Sequence, residues 1–96
     1  MNNEKICKIT ALEVQEIITM LGNQFDSHDF ILMFIKTYPY SYFKLLDRYT
    51  NVTMVDAQIA LYLNHHAVVL QIEKIGDVVS LNIMSNESEC SLWKKK

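Results

Sequence analysis

The chain has 96 residues, half of them apolar, with only 2 glycines and 1 proline. This length suits one domain over residues 1–96, and the scarcity of chain breakers argues against a disordered chain or a turn-rich sandwich. The formal net charge of −2 does not favour a nucleic-acid binder. Since the chain has neither a membrane-length apolar run nor a signal-peptide pattern at its start, we expect a cytoplasmic protein.

The first predicted helix begins at a capping box. The Thr10 hydroxyl is expected to accept a hydrogen bond from the backbone amide of Glu13, and the Glu13 carboxylate to accept one from the backbone amide of Thr10. Apolar residues then recur at helical spacing, at Val14, Ile17, Ile18 and Leu21. Gly22 follows where a C′ glycine ends many helices, so we expect the helix to stop there.

The central predicted helix contains six consecutive apolar residues, from Phe30 to Ile35. A short apolar run also fits a buried strand, but the residues that flank this run indicate a helix. Asp26 is a good N-cap with Asp29 three residues on, and Phe25 and Phe30 stand at the positions of a hydrophobic staple. We therefore predict a helix over residues 27–37, at the centre of the fold, because apolar side chains on every side must be covered.

Two further helices are predicted before residue 67. Pro39 suits the first position of a third helix over residues 40–49, whose apolar face is Tyr42, Leu45, Leu46 and Tyr49. Thr53 with Asp56 gives another capping signal, so a fourth helix is expected to begin near Met54. Its inner face is predicted to consist of Val55, Ile59, Leu63 and His66.

Residues 67–75 are rich in β-branched side chains and allow two interpretations. In the preferred one they form a strand, and Gly76-Asp77 is the two-residue turn of a hairpin. In the alternative the fourth helix continues to Lys74, and Gly76 is its C′ residue.

The last third of the chain predicts β-structure. Apolar Val79, Leu81 and Ile83 alternate with Ser80 and Asn82, which is typical of a strand with its apolar face inward. A turn is expected at residues 85–87, and the alternation around Cys90 and Leu92 predicts another short strand. We thus expect an α+β fold: four helices, with the second central, and a small antiparallel sheet near the C-terminus.

Helices flanking a tight connection at residues 50–53, followed by a hairpin, give an element order that resembles a winged-helix domain over roughly residues 10–96. The resemblance implies that the fourth helix is the recognition helix, with Asp56, Gln58, Asn64 and His65 facing outward. Gln and Asn can contact adenine edges, but the helix has no Lys or Arg, and Asp56 would face phosphate unfavourably.

Other candidate binding residues surround Pro39 and lie at the C-terminus. Tyr38, Tyr40 and Tyr42 either pack at the helix corner or form an interface, where tyrosine and tryptophan are enriched. Trp93 is expected on an exposed patch, and the lysines after it are either a solvated end or a phosphate clamp. The candidate partner-binding residues are Tyr38, Tyr40, Gln58, Asn64, His65, Trp93, Lys94, Lys95 and Lys96.

No pattern in the sequence predicts catalysis, a cofactor or a metal site. His65 and His66 point about 100° apart on a helix, and His28 shares no ligand spacing with the cysteines or acids. Cys7 and Cys90 are expected as free thiols in a reducing compartment. No nucleophile elbow, phosphate-binding loop or paired-carboxylate motif is present.

The function expected from the sequence is that of a non-enzymatic binding or regulatory module of winged-helix type, acting through a protein or DNA partner. The alternative is a self-associating protein-interaction domain without a nucleic-acid role. The apolar residues between Val68 and Ile83 exceed what one sheet face can bury, so an exposed patch and a symmetric dimer are expected.

Overall fold

The structure is a computed structural model that describes residues 11–96. It has an α+β fold with five helices and a three-stranded antiparallel sheet. The elements are α1 (Ala11–Met20), β1 (Gln24–Asp26), α2 (Ser27–Thr37), α3 (Pro39–Tyr49), α4 (Val52–His65), α5 (Ala67–Leu70), β2 (Ile72–Leu81) and β3 (Glu87–Lys95). The predicted capping residue Thr10 lies outside the described part of the chain. The α+β layout with a C-terminal sheet is confirmed.

The sheet has the strand order β1-β3-β2. The short strand β1, between α1 and α2, is not predicted by the sequence analysis. It pairs with the end of β3, where Phe25 lies opposite Trp93. The final strand β3 is therefore central, and Lys94 and Lys95 belong to it instead of forming a free tail.

Helix α2 begins and ends where the sequence predicts. The Asp26 carboxylate accepts a hydrogen bond from the Asp29 amide (2.8 Å), and the Asp29 carboxylate accepts one from the Asp26 amide (3.1 Å). Phe30 and Phe34 are fully buried, with stacked rings 6.2 Å apart. The helix is not covered on every side, however, because Leu32 remains about half exposed.

The buried apolar residues form one cluster, to which every described helix and strand contributes. Trp93 is among them, with only 1% of its surface exposed, and its indole Nε1 donates a hydrogen bond to Ser27 Oγ (3.1 Å). The prediction that Trp93 lies on an exposed patch is therefore wrong. Trp93 lies on the central strand, opposite Phe25 of β1 and Lys74 of β2, and its ring belongs to the core cluster.

Two helix ends differ from the predictions. Helix α4 begins at Val52 because Asn51, not Thr53, is its N-cap: Asn51 Oδ1 accepts a hydrogen bond from the Met54 amide (2.8 Å). His66 follows the end of α4 and is exposed, stacking on Tyr62, so it does not belong to the inner face. Gly22 does not adopt a left-handed conformation, and α1 ends with a hydrogen bond from the Leu21 amide to the Ile18 carbonyl.

Both interpretations of residues 67–77 are wrong. The helix α5 ends at Leu70, Gln71 takes a left-handed conformation (φ 59°), and β2 runs from Ile72 through Gly76 and Asp77. Gly76 lies at a bulge in the register with β3. The hairpin turn lies at residues 82–86, overlapping the turn expected at residues 85–87, and the Asn82 side chain accepts hydrogen bonds from two of its amides.

The alternation along β2 is also opposite to the prediction. Val79 and Leu81 are 60% and 61% exposed, whereas Ser80 between them is half-buried and faces α2. The β2 register with β3 pairs Val79 with Glu89 and Leu81 with Glu87. Periodicity reveals that two sets of side chains lie on opposite faces, but the partner packed on one face decides which set is buried.

The longest described helix, α4, has 14 residues. None of the helices in residues 11–96 has the length and apolar character needed to cross a membrane.

Replacing Phe34 by Ala tests whether α2 is the centre of the core. Because the ring is fully buried, we expect a loss of about 3–5 kcal/mol in the free energy of unfolding. Phe43→Ala is the matched control, since Phe43 is 60% exposed on α3, and it should cost less than about 1 kcal/mol. Urea denaturation measures both, and equal losses for the two variants would contradict the central position of α2.

Candidate functional site

The first turn of α2 meets the β2–β3 hairpin at the side chain of His28. Its Nδ1 lies 2.7 Å from Ser80 Oγ, and its Nε2 lies 3.3 Å from Ser88 Oγ. Ser80 and Ser88 are cross-strand partners on β2 and β3. One imidazole ring therefore joins both strands of the hairpin to the helix.

A carboxylate and a thiol lie beside this imidazole. Cys90 Sγ is 3.8 Å from Ser80 Oγ, and one ligand atom each of Asp26, His28 and Cys90 lie within 4.8 Å of one another. Asp26 is held in place because its carboxylate caps α2. Carboxylate, imidazole and thiolate are all ligands of transition metals such as zinc. The structure thus groups three residues that could hold a metal ion.

Two surface hollows, of about 270 and 220 Å³, adjoin His28, which lines both. The larger hollow has Asp29, Leu32, Leu81 and Ile83 in its wall. The smaller one lies between α4 and β3 and is lined by Asp56, Ala57, Ala60, Glu89 and Cys90, among others. Neither hollow has a Lys or Arg among its described lining residues. Carboxylates and apolar side chains therefore set the character of this surface.

Asp56 is the most constrained carboxylate of the smaller hollow. Its Oδ1 accepts a hydrogen bond from the Tyr42 hydroxyl (2.9 Å). Burial raises the pKa of Asp56 above its usual value, although the Tyr42 hydrogen bond and the nearby His28 oppose that rise. Burial, with the adjacent Asp56 carboxylate, also raises the pKa of Tyr42. Tyr42 therefore remains a hydrogen-bond donor throughout the physiological pH range.

None of the nine candidate residues predicted from the sequence lines either hollow in the described structure. Asn64 and His65 are exposed near the end of α4, and Tyr40 is exposed on α3. Gln58 is half-buried, and its Oε1 has no hydrogen-bond partner within the described residues. The Tyr38 hydroxyl donates to the Glu16 carboxylate on α1, which supports its packing role at the helix corner.

The C-terminal lysines are part of the sheet and its surroundings. Lys95 Nζ donates a hydrogen bond to the Leu21 carbonyl (2.7 Å), and its amide donates to the Asn23 carbonyl (2.9 Å). The Lys96 amide donates to the Gln71 carbonyl (2.9 Å), while the Lys94 side chain is exposed. These lysines thus lie beside α1 and the turn before β2, with Lys94 and Lys96 exposed to solvent and Lys95 half-buried.

Sequence reasoning missed the cluster around His28. Ser80, Ser88 and Cys90 are 52 to 62 residues away from it along the chain, and only the β2–β3 register brings them together. The signal that could have revealed them is the alternation itself: Ser88 and Cys90 share one face of a strand, and Ser80 lies opposite Ser88 on the same face. The predicted strand placed Ser80 on the solvent side, although Cys90 was grouped with the apolar residues of the next strand.

Comparisons of the chain with models of known protein families, with curated proteins and with solved structures found no match.

The raised pKa of Asp56 predicts how stability depends on pH. Folding favours the protonated carboxyl, so this group's contribution to stability should fall as pH rises from the unfolded value of 3.8 through the higher folded value. Asp56→Asn keeps an acceptor for Tyr42 but does not ionise, so the variant should lack that fall. Urea denaturation at several pH values between about 4 and 7 measures the difference. Asp47→Asn, at an exposed position on α3, is the control, and a profile for Asp56→Asn parallel to the wild type would contradict the assignment.

Proposed function

We propose that this chain is a non-enzymatic binding module of winged-helix type whose partner is a protein. The proposed contact surface, the His28 face, consists of Leu32 and Leu81 with the carboxylates Asp29, Asp56 and Glu89 around His28. The observation that carries the proposal is the lining of the two hollows, which combines apolar side chains with carboxylates and contains no Lys or Arg among the described residues.

The apolar part of the His28 face supports a protein partner. Leu32 and Leu81 are 47% and 61% exposed, and they line the same hollow. The Asp29 carboxylate lies in the wall of that hollow, and Asp56 and Glu89 line the neighbouring one. An apolar centre with a polar rim is the usual composition of a protein–protein contact surface.

The charge of the same face opposes a nucleic-acid partner. Helix α4, which would enter the DNA groove in a winged-helix complex, contains no Lys or Arg from Val52 to His65. Asp56 and Glu89 lie in the hollow beside this helix, and they would repel a phosphate backbone. A protein segment that presents Lys or Arg next to apolar side chains is the complementary partner.

A binding assay separates the two partner classes. At low salt we expect no saturable binding of a fluorescently labelled mixed-sequence DNA duplex, and saturable binding of a labelled peptide in which leucine alternates with lysine. Glu89→Lys should weaken the peptide complex about fivefold or more, since it replaces an attractive charge with a repulsive one. Fluorescence anisotropy measures both interactions.

The control for Glu89→Lys is Glu73→Lys, another exposed strand glutamate whose replacement changes the net charge equally. Glu73 lies opposite Lys94, at the other end of the hairpin, so its replacement should leave the affinity nearly unchanged. Equal weakening by both variants would show that net charge alone attracts the peptide. Duplex binding that falls steeply with salt would favour the DNA partner instead.

The second candidate function is self-association through β2. Within the described sheet β2 has a strand neighbour on one side only, and it carries the exposed side chains of Ile75, Val79 and Leu81. An open edge with apolar side chains favours pairing with another copy of the chain, and a symmetric dimer is the commonest result. The bulge at Gly76 restricts such pairing to part of the strand.

Val79→Lys tests self-association. If β2 forms the dimer contact, sedimentation equilibrium should show a dimer for the wild type and a monomer for this variant. Val68→Lys is the matched control, because Val68 is 81% exposed on α5 and does not belong to β2. A wild-type chain that is monomeric at every concentration would rule out this candidate.

A further inference from the structure

We propose that Asp26, His28 and Cys90 form a binding site for a divalent transition-metal ion of the zinc type. The inference goes beyond the proposed function and is independent of it, because it concerns a ligand of the domain itself. The three residues come from the end of β1, the first turn of α2 and the middle of β3. A metal ion bound here would link all three elements.

The spacing of the three residues suits tetrahedral coordination. Their ligand atoms lie within 4.8 Å of one another. With metal–ligand bonds of about 2.0–2.3 Å, the ligand atoms of a tetrahedral zinc site are roughly 3.3–3.8 Å apart. Side-chain rotations that close the group by about 1 Å would therefore complete three of the four coordination positions.

Hydrogen bonds already orient two of the ligands. Asp26 Oδ1 is engaged with the Asp29 amide, which leaves Oδ2 without a hydrogen-bond partner among the described residues. Each ring nitrogen of His28 lies next to a serine hydroxyl. If one nitrogen binds the metal, the other can donate its proton to the remaining serine, as second-shell partners of metal-bound histidines do.

The electrostatic surroundings favour a cation. Cys90 loses its thiol proton to solvent on binding, so the thiolate and the Asp26 carboxylate together neutralise a divalent ion. The N-terminus of α2 contributes about half a positive charge, which these two anionic ligands outweigh. Asp56 and Glu89 line the adjoining hollow of about 220 Å³, which has room for a water molecule as the fourth ligand.

Cobalt provides a spectroscopic test of the site. The full chain, kept reduced with a non-thiol reductant, is titrated with Co²⁺, which has visible d–d bands in tetrahedral sites and a near-ultraviolet charge-transfer band when a thiolate binds it. We expect both signals to saturate at one ion per chain and to vanish when Zn²⁺ is added. A wild-type spectrum without a thiolate band would overturn the proposal.

Matched variants assign the ligands. Cys90→Ser and His28→Gln should abolish the charge-transfer and tetrahedral bands respectively, whereas Cys7→Ser and His65→Gln should keep both. Loss of the thiolate band in Cys7→Ser, or its retention in Cys90→Ser, would overturn the proposed site.

Asp26→Asn keeps the test valid if replacing His28 prevents folding, because Asn is an equally good N-cap for α2. This variant should bind Co²⁺ at least about tenfold more weakly, since it lacks the anionic ligand. Asp47→Asn, on α3, should bind as the wild type does. A Co²⁺ affinity unchanged by Asp26→Asn in a folded variant would exclude Asp26 from the site and overturn the proposal. Circular dichroism of each variant verifies that it folds.

Discussion

Asp26 is both the last residue of β1 and the N-cap of α2, and the rest of the structure depends on this junction. Its backbone belongs to the sheet, opposite Leu92 of β3, while its carboxylate holds the first turn of the helix. The chain therefore passes from strand to helix without an intervening loop. This close coupling fixes the position of His28 against the hairpin, and it places Ser27 where its hydroxyl accepts the hydrogen bond from Trp93.

The same junction explains why apolar side chains of β2 are exposed to solvent while a serine is half-buried. The imidazole of His28 hydrogen-bonds to the serine hydroxyls of the hairpin, so Ser80 lies on the half-buried face of β2. The apolar side chains of Val79 and Leu81 therefore point to solvent. Carboxylates surround these exposed side chains. The exposed Leu81 beside carboxylates supports the proposal of a protein partner, and the inward-facing group of Asp26, His28 and Cys90 supports that of a metal ion.

Local sequence signals predicted the helices well. The capping residues of α2 and the proline that opens α3 act within one turn of the chain, so their effect is visible without knowledge of the fold. Where two local signals competed, the prediction was less accurate. Asn51 caps α4 in place of Thr53, and β2 continues with a bulge through Gly76-Asp77, where a turn was predicted.

The candidate site was not predictable from the sequence in the same way. The nine residues selected as partner-binding candidates were chosen for residue type or for one helical face, and those criteria contain no information about distant neighbours. Trp93 shows the consequence, because an aromatic residue beside three lysines suggested exposure, whereas the central position of β3 buries it.

The sequence by itself determined the fold class, the position of α2 and the membership of most of the core. These features follow from side-chain periodicity and helix capping, which act over a few residues. Only the tertiary structure decided which face of β2 is buried and that His28, Cys90 and Asp26 meet. The physical reason is that a strand's alternation is symmetric between its two faces, and the choice between them depends on the helix that packs against the sheet.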